Sequence, residues 1–255
     1  MSKELNKNGK NKVIEDLKEI NRRLSYDLWN VCFSGEKPSG LSPRLIFPQK
    51  RKRNENDESI KRISEQEARI LYCNILNNLN YFYSIETPTQ NPYKHNGISG
   101  TSALSDLSIY SFKGNEFEKE ANVEFKAHNP TTKNISKDIE KLIKEGKDGN
   151  WFHILKNIDS GTIPSVFNKF ITSIDEYKDK RSEKCILFCF CILEKKFSII
   201  KEYFYKPSLR KKIKIDVENF FSMSKTDVSN NIEGKTVDKQ KEVLENNGWM
   251  IINNK

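Results

Sequence analysis

Nine consecutive apolar residues, Cys185–Leu193 (CILFCFCIL), constrain this chain most. A strand with one wet face alternates apolar and polar residues, whereas an unbroken run of this length predicts a strand buried on both faces. Glu194-Lys195-Lys196 then turns the chain into Phe197–Tyr205, an expected antiparallel partner. A sheet holding such a strand needs cover on both sides, so the fold class expected is α/β. The run falls well short of the roughly 18–20 apolar residues of a membrane span, and no apolar leader opens the chain. The expectation is a soluble, cytoplasmic protein with no membrane partner.

Five cysteines fit that compartment. Cys185, Cys189 and Cys191 lie inside the apolar run without turn residues or a second ligand pair, so they read as buried thiols and no zinc site is assigned.

Helical periodicity marks the N-terminal part. Val13, Leu17, Ile20, Leu24, Leu28 and Val31 recur at three and four, predicting a helix over Lys12–Cys32. Pro38, Gly40, Pro43 and Pro48 mark an irregular connector, followed by a basic cluster at Lys50–Arg53 that reads as a solvated loop. A second helix starts near Ser64, with Ala68, Leu71, Ile75 and Leu79 as its stripe. Glu67 has two readings. It lies nearly in phase with that stripe, and Ser64-x-x-Glu67 is also a capping box in which the Glu returns to the helix start. Glu65 is out of phase and the weaker candidate.

Tyr81–Thr87 alternates as a strand, and the Pro- and Asn-rich segment after it, with His95, reads as a loop. Beyond the turn His128-Asn129-Pro130 a helix is expected over Ile135–Glu145, with Ile135, Ile139, Leu142 and Ile143 inward. Lys137, Lys141 and Lys144 then fall on its polar side, with Lys133 just before it. Two further helices are expected at Trp151–Ile158, which includes His153, and at Pro164–Ile174.

The chemistry concentrates in Ala103–His128 (ALSDLSIYSFKGNEFEKEANVEFKAH). Two apolar-alternating runs flank a polar turn. In the second, Val123 and Phe125 share one face, which sends Glu124 and Lys126 to the other. If the runs pair, Asp106, Glu124 and Lys126 converge at one spot. Two carboxylates suffice as the protein part of a Mg²⁺ site. Such an ion lowers the pKa of a bound water and clamps phosphate oxygens, and an adjacent amine offsets transition-state charge. The constellation suits phosphodiester cleavage. Three scattered histidines and no G-x-S-x-G pattern leave hydrolase triads without support, and no Gly-rich phosphate loop is present.

Charge agrees with a polyanionic partner. The chain carries 44 basic against 35 acidic residues, a net charge of +9. Lys133, Lys137 and Lys141 are candidate phosphate contacts, as are Arg210, Lys211 and Lys212 within the acid-free stretch 206–214.

Asp106, followed after seventeen intervening residues by Glu124-Phe125-Lys126, resembles the PD-(D/E)XK nuclease superfamily, whose signature is an acid on one strand and an acid-x-Lys triplet on the next. Ser105 stands where the family often has Pro. The resemblance covers about 64–205, a little over half the chain, and implies a restriction-endonuclease-like core with a central mixed β-sheet flanked by helices. It implies that Asp106 and Glu124 bind Mg²⁺, with Mn²⁺ able to substitute, helped by the Phe125 carbonyl. Lys126 would orient or polarise the attacking water, and Glu67 matches a helix acid found in many relatives. The implied activity is a Mg²⁺-dependent endonuclease on DNA, in restriction or anti-phage defence. The alternatives are an RNA-cleaving nuclease of the same fold, or a non-cutting nucleic-acid-binding subunit of a larger defence complex. A homodimer, or an ATPase or sensor subunit as partner, is compatible with this class. Around the core, residues 1–63 read as an N-terminal helix with a basic linker. Residues 206–255 read as a basic extension whose Phe220, Phe221, Trp249, Ile251 and Ile252 dock on the core.

Overall fold

A computed structural model of the chain describes residues 12–34, 36–48, 63–95, 98–158, 162–175, 183–206, 210–221 and 237–254, without the side chains of 94, 95, 98–101 and 210–215. In chain order the elements are α1 (Lys12–Asn30), β1 (Cys32–Phe33), β2 (Ile46–Phe47), α2 (Glu65–Asn78), β3 (Phe82–His95), β4 (Ile98–Lys113) and β5 (Glu116–Ala127). There follow α3 (Thr132–Lys144), β6 (Asp148–Leu155), α4 (Thr162–Asp175), β7 (Lys184–Ile192), β8 (Phe197–Tyr205), α5 (Arg210–Phe221), α6 (Val237–Asn246) and β9 (Met250–Asn253).

Seven strands form one mixed sheet in the order β3-β4-β5-β6-β7-β8-β9. β3, β4 and β5 are an antiparallel meander, and β6 and β7 continue parallel to β5. β8 and β9 complete the sheet antiparallel. The protein is thus α/β, with helices on both faces of a mixed sheet.

The alternation along β7 shows why its sequence is apolar throughout. Cys185, Leu187, Cys189 and Cys191 belong to a core shared with α1 and α2, while Ile186, Phe188, Phe190 and Ile192 belong to a second core under α3, α4, α5 and α6. Small thiols face α1, and burial pushes the Cys191 thiol up to about 12, leaving it inert. Bulky rings fill the other side, where Phe170 packs edge-on against Phe188 and Phe167 stacks on Trp249. The C-terminal stretch joins both layers: Phe220, Phe221 and Trp249 enter the second core, Ile252 the first, and β9 pairs with β8. Among the described residues, no helix is long and apolar enough to cross a membrane.

Two expected elements differ. Trp151–Leu155, read as helical, belongs to β6, whose eight positions are all buried. A short apolar run carries no period to separate a central parallel strand from a buried helix. The segment after Thr87, read as a loop, continues as β3 to His95 and pairs with β4. Register shifts between Pro88 and Pro92 and between Tyr93 and His95 accommodate it. Proline is tolerated here because β3 is an edge strand.

Candidate active site

Turn chemistry sets the site's register. Gly114 and Asn115 both have positive φ (55° and 71°), the signature of a two-residue hairpin turn, and they align Lys113 with Glu116. Further along, Tyr110 pairs with Lys119 but Ile109 pairs with Ala121, so Glu120 is the extra residue of a bulge. Ser111 and Lys113 both bond its carboxylate. One step past the Leu107–Val123 pair, Asp106 is level with Glu124. Without the bulge it would be level with Val123, which lies on the opposite face.

The ladders lapse at this point. The β4–β5 pairing stops at Leu107–Val123, and the β3–β4 pairing passes from Ile85–Leu107 to Thr87–Ser105, with Glu86 between them at φ 50°. The Phe125 N–H, released from the ladder, donates instead to Asp106 Oδ2 at 2.8 Å. From α2, Arg69 donates to Asp106 Oδ1 at 3.1 Å and reaches Glu86 at 3.5 Å.

Val123 and Phe125 point into the first core, as their alternation predicts. Glu124 and Lys126 face α3, where they meet a chain of ions. Glu124 is fully buried, and its Oε2 accepts from Lys141 Nζ at 2.6 Å. Lys141 also bonds Asp138 Oδ1 at 2.8 Å and the Leu104 carbonyl at 2.9 Å. Asp138 Oδ2 holds Lys126 Nζ at 2.7 Å, and Lys126 donates to the Phe125 carbonyl at 2.9 Å and stands 3.8 Å from Glu65. Glu124 Oε1 is buried with no hydrogen-bond partner among the described residues.

Burial pushes the Glu124 carboxyl well above its ordinary range; the Lys141 ammonium opposes this, and Asp138 and Asp106 reinforce it. Burial pulls Lys126 down, but the charges of Asp138 and Glu65 outweigh it and the net shift is upward. Lys126 therefore stays protonated at neutral pH and acts as a fixed charge.

Asp106 is joined to Phe125 by its N–H and Lys126 to Phe125 by its carbonyl, while Glu124 and Lys126 are linked through Lys141 and Asp138. Glu67 does not join them by any hydrogen bond or ion pair among the described residues; its carboxylate accepts from Ser64 Oγ, the N-cap of α2. This bond reaches the N-cap hydroxyl and not the N-cap amide of a capping box, and the α2 acid nearest Lys126 is Glu65. Lys133 and Lys137 are exposed on α3, as a phosphate contact requires. Lys141 is a correction: it is 3% exposed and bonded to the site's own carboxylates, so it is not a solvent-facing phosphate contact. The cause is the arm of β3 and β4, which crosses α3 and covers this part of the helix. Arg210, Lys211 and Lys212 open α5, but their side chains lie outside the described residues, as do that of His95 and the cluster Lys50–Arg53. His153 is a buried β6 residue whose Nε2 faces the His128 carbonyl at 2.7 Å. Asp138 and Arg69 escaped the sequence reading. The signal for Asp138 was an acid beside the apolar stripe with a lysine one turn on.

Comparison of the chain with protein-family models, with curated proteins and with solved structures gave no match. What the site can do rests on its own geometry. Among the described residues no three His, Cys, Asp or Glu side chains gather as a metal cluster. The site offers two carboxylates and a main-chain carbonyl, and Mg²⁺ takes one or two protein carboxylates while keeping several waters. Glu124 Oε1 supplies the test of fit: a buried carboxylate oxygen without a donor, on a group destabilised by burial, is relieved by a cation. Glu124 Oε1 is thus open to a cation, while the Asp106 oxygens and the Phe125 carbonyl already accept from Arg69, the Phe125 N–H and Lys126.

Proposed function

We propose that this protein is a Mg²⁺-dependent nuclease that hydrolyses DNA phosphodiester bonds at the Asp106–Glu124–Lys126 site. The observation that carries the reading is the buried Glu124 Oε1, without a partner among the described residues, on a residue level with Asp106 and two positions from the fixed charge of Lys126. The order of elements supports it: α2, an antiparallel β3-β4-β5 meander, α3, then β6 parallel to β5 is the arrangement expected of a restriction-endonuclease-like core. Restriction or anti-phage defence is the setting that the PD-(D/E)XK resemblance implies.

Asp106, Glu124 and the Phe125 carbonyl would hold the divalent ion, which would supply a water of lowered pKa and a clamp on phosphate oxygens. The chain's own groups do the rest. The Phe125 N–H and Arg69 fix the Asp106 carboxylate, and Lys141 fixes Glu124. Lys126, anchored by Asp138 and the Phe125 carbonyl, places a permanent positive charge where the phosphate becomes more negative. Exposed Lys133 and Lys137 on α3 are available to neighbouring phosphates.

The test is cleavage of plasmid DNA and of structured RNA with Mg²⁺, Mn²⁺ or EDTA. Metal-dependent cutting of DNA is expected, with Lys126→Ala slower by roughly 10²–10³-fold and Glu124→Ala inactive. Cutting confined to RNA would keep the chemistry and change the substrate. Equal DNA binding by wild type and variants with no cutting by either would contradict the nuclease and favour a binding subunit.

A further inference from the structure

The two oxygens of Glu124 have different fates. Oε2 holds Lys141 Nζ at 2.6 Å, while Oε1, equally buried, holds nothing among the described residues. In two-metal phosphodiesterases a pair of ions about 3.5–4 Å apart clamps the attacking and leaving oxygens. Lys141 Nζ sits on an oxygen set of the kind such an ion takes: Glu124 Oε2, Asp138 Oδ1 at 2.8 Å and the Leu104 carbonyl at 2.9 Å. All three ammonium N–H donors are used. The side chain reaches this place because the β3–β4 arm lies over α3, and it is 3% exposed.

We propose that Lys141 is a resident cation that fills the place of a second divalent ion, so that the site takes one divalent ion per chain, at Glu124 Oε1. This rests on the reading of Asp106 and Glu124 as metal ligands. Lys141 thus contributes a charge that needs no recruitment from solution. It also holds Glu124 by Oε2, which leaves Oε1 without a partner among the described residues.

The experiment is calorimetric titration of the full chain with Mn²⁺, comparing wild type, Glu124→Gln and Lys141→Ser. Lys141→Ser leaves Glu124 Oε2, Asp138 Oδ1 and the Leu104 carbonyl around a space the size of an ammonium. The expected results are one ion for wild type, an affinity weaker by about tenfold or more for Glu124→Gln, and two ions for Lys141→Ser. Thermal unfolding adds a second readout: Mn²⁺ should raise the midpoint of Lys141→Ser more than that of wild type. Two ions on wild type would overturn the proposal while leaving the metal site standing. One ion on Lys141→Ser, bound as in wild type, would overturn it as well. No ion on wild type would remove the metal reading itself and this proposal with it. The wild-type count decides the matter even if Lys141→Ser does not fold without metal.

Discussion

Glu124 and His153 are both fully buried ionisable residues, and the chain treats them in opposite ways. Glu124 bonds Lys141 through one oxygen and leaves the other without a partner among the described residues, which is a costly arrangement for a residue that only has to pack. His153 is kept neutral. Its Nε2–H donates to the His128 carbonyl, its Nδ1 has no partner among the described residues, and burial depresses its pKa from 6.5 to about 3. The unfolded chain takes up this proton below pH 6.5 and the folded chain does not, so stability is full above that pH and declines as pH falls towards 3. Chemical denaturation at pH 7, 6 and 5 should show wild type losing up to about 1.4 kcal/mol per pH unit, and His153→Asn should lack that slope. Equal slopes in both proteins would contradict the buried neutral imidazole. That Asp106 is level with Glu124 depends on the bulge at Glu120, but Glu124 and Lys126 were legible in the sequence because strand alternation puts both on the face opposite Val123 and Phe125. Lys141 was not. Its spacing with Lys137 and Lys144 describes a polar stripe, and only contact with a distant strand shows that the middle lysine is covered.

The β3–β4 arm is the element that provides this cover, and a single acid holds it down. Glu145, at the C-cap of α3, accepts from the Gln90 N–H at 3.0 Å, the Asn91 N–H at 3.1 Å and the Tyr93 hydroxyl at 3.2 Å. Asn91 returns a bond to the Lys144 carbonyl at 2.9 Å. The bonds to a charged acceptor are worth about 2–3 kcal/mol together against local opening. Glu145→Ala should therefore speed hydrogen exchange at the Gln90 and Asn91 amides by roughly a hundredfold while leaving β7 amides protected. Unchanged exchange at these two amides would show that the arm is held by other means. The sequence read this segment as a loop because Pro88, Pro92 and the asparagines are turn formers, yet an edge strand accommodates them through register shifts. The hairpin turn at Gly114-Asn115 carries its signal locally and was visible. The bulge at Glu120, which brings Asp106 level with Glu124, carries none.

At the scale of the molecule, the nine-residue apolar run forecast a sheet covered on both faces, and β7 separates two cores as a strand without polar positions must. The same reasoning misread β6, since Asn150-Trp151-Phe152-His153 is too short and too mixed to show a period. Both strands lie at the centre of the sheet, and the catalytic candidates sit at its antiparallel side, where β4 and β5 stop pairing. The lapse in pairing lets Asp106 take the Phe125 N–H in place of a strand carbonyl. The most direct test of this account is to locate the ion. A crystal of the wild-type chain soaked in Mn²⁺, measured for anomalous scattering, should show one peak coordinated by Asp106, Glu124 Oε1 and the Phe125 carbonyl, with Lys141 still on Glu124 Oε2. An absent peak there, or manganese bound elsewhere with Glu124 untouched, would contradict it.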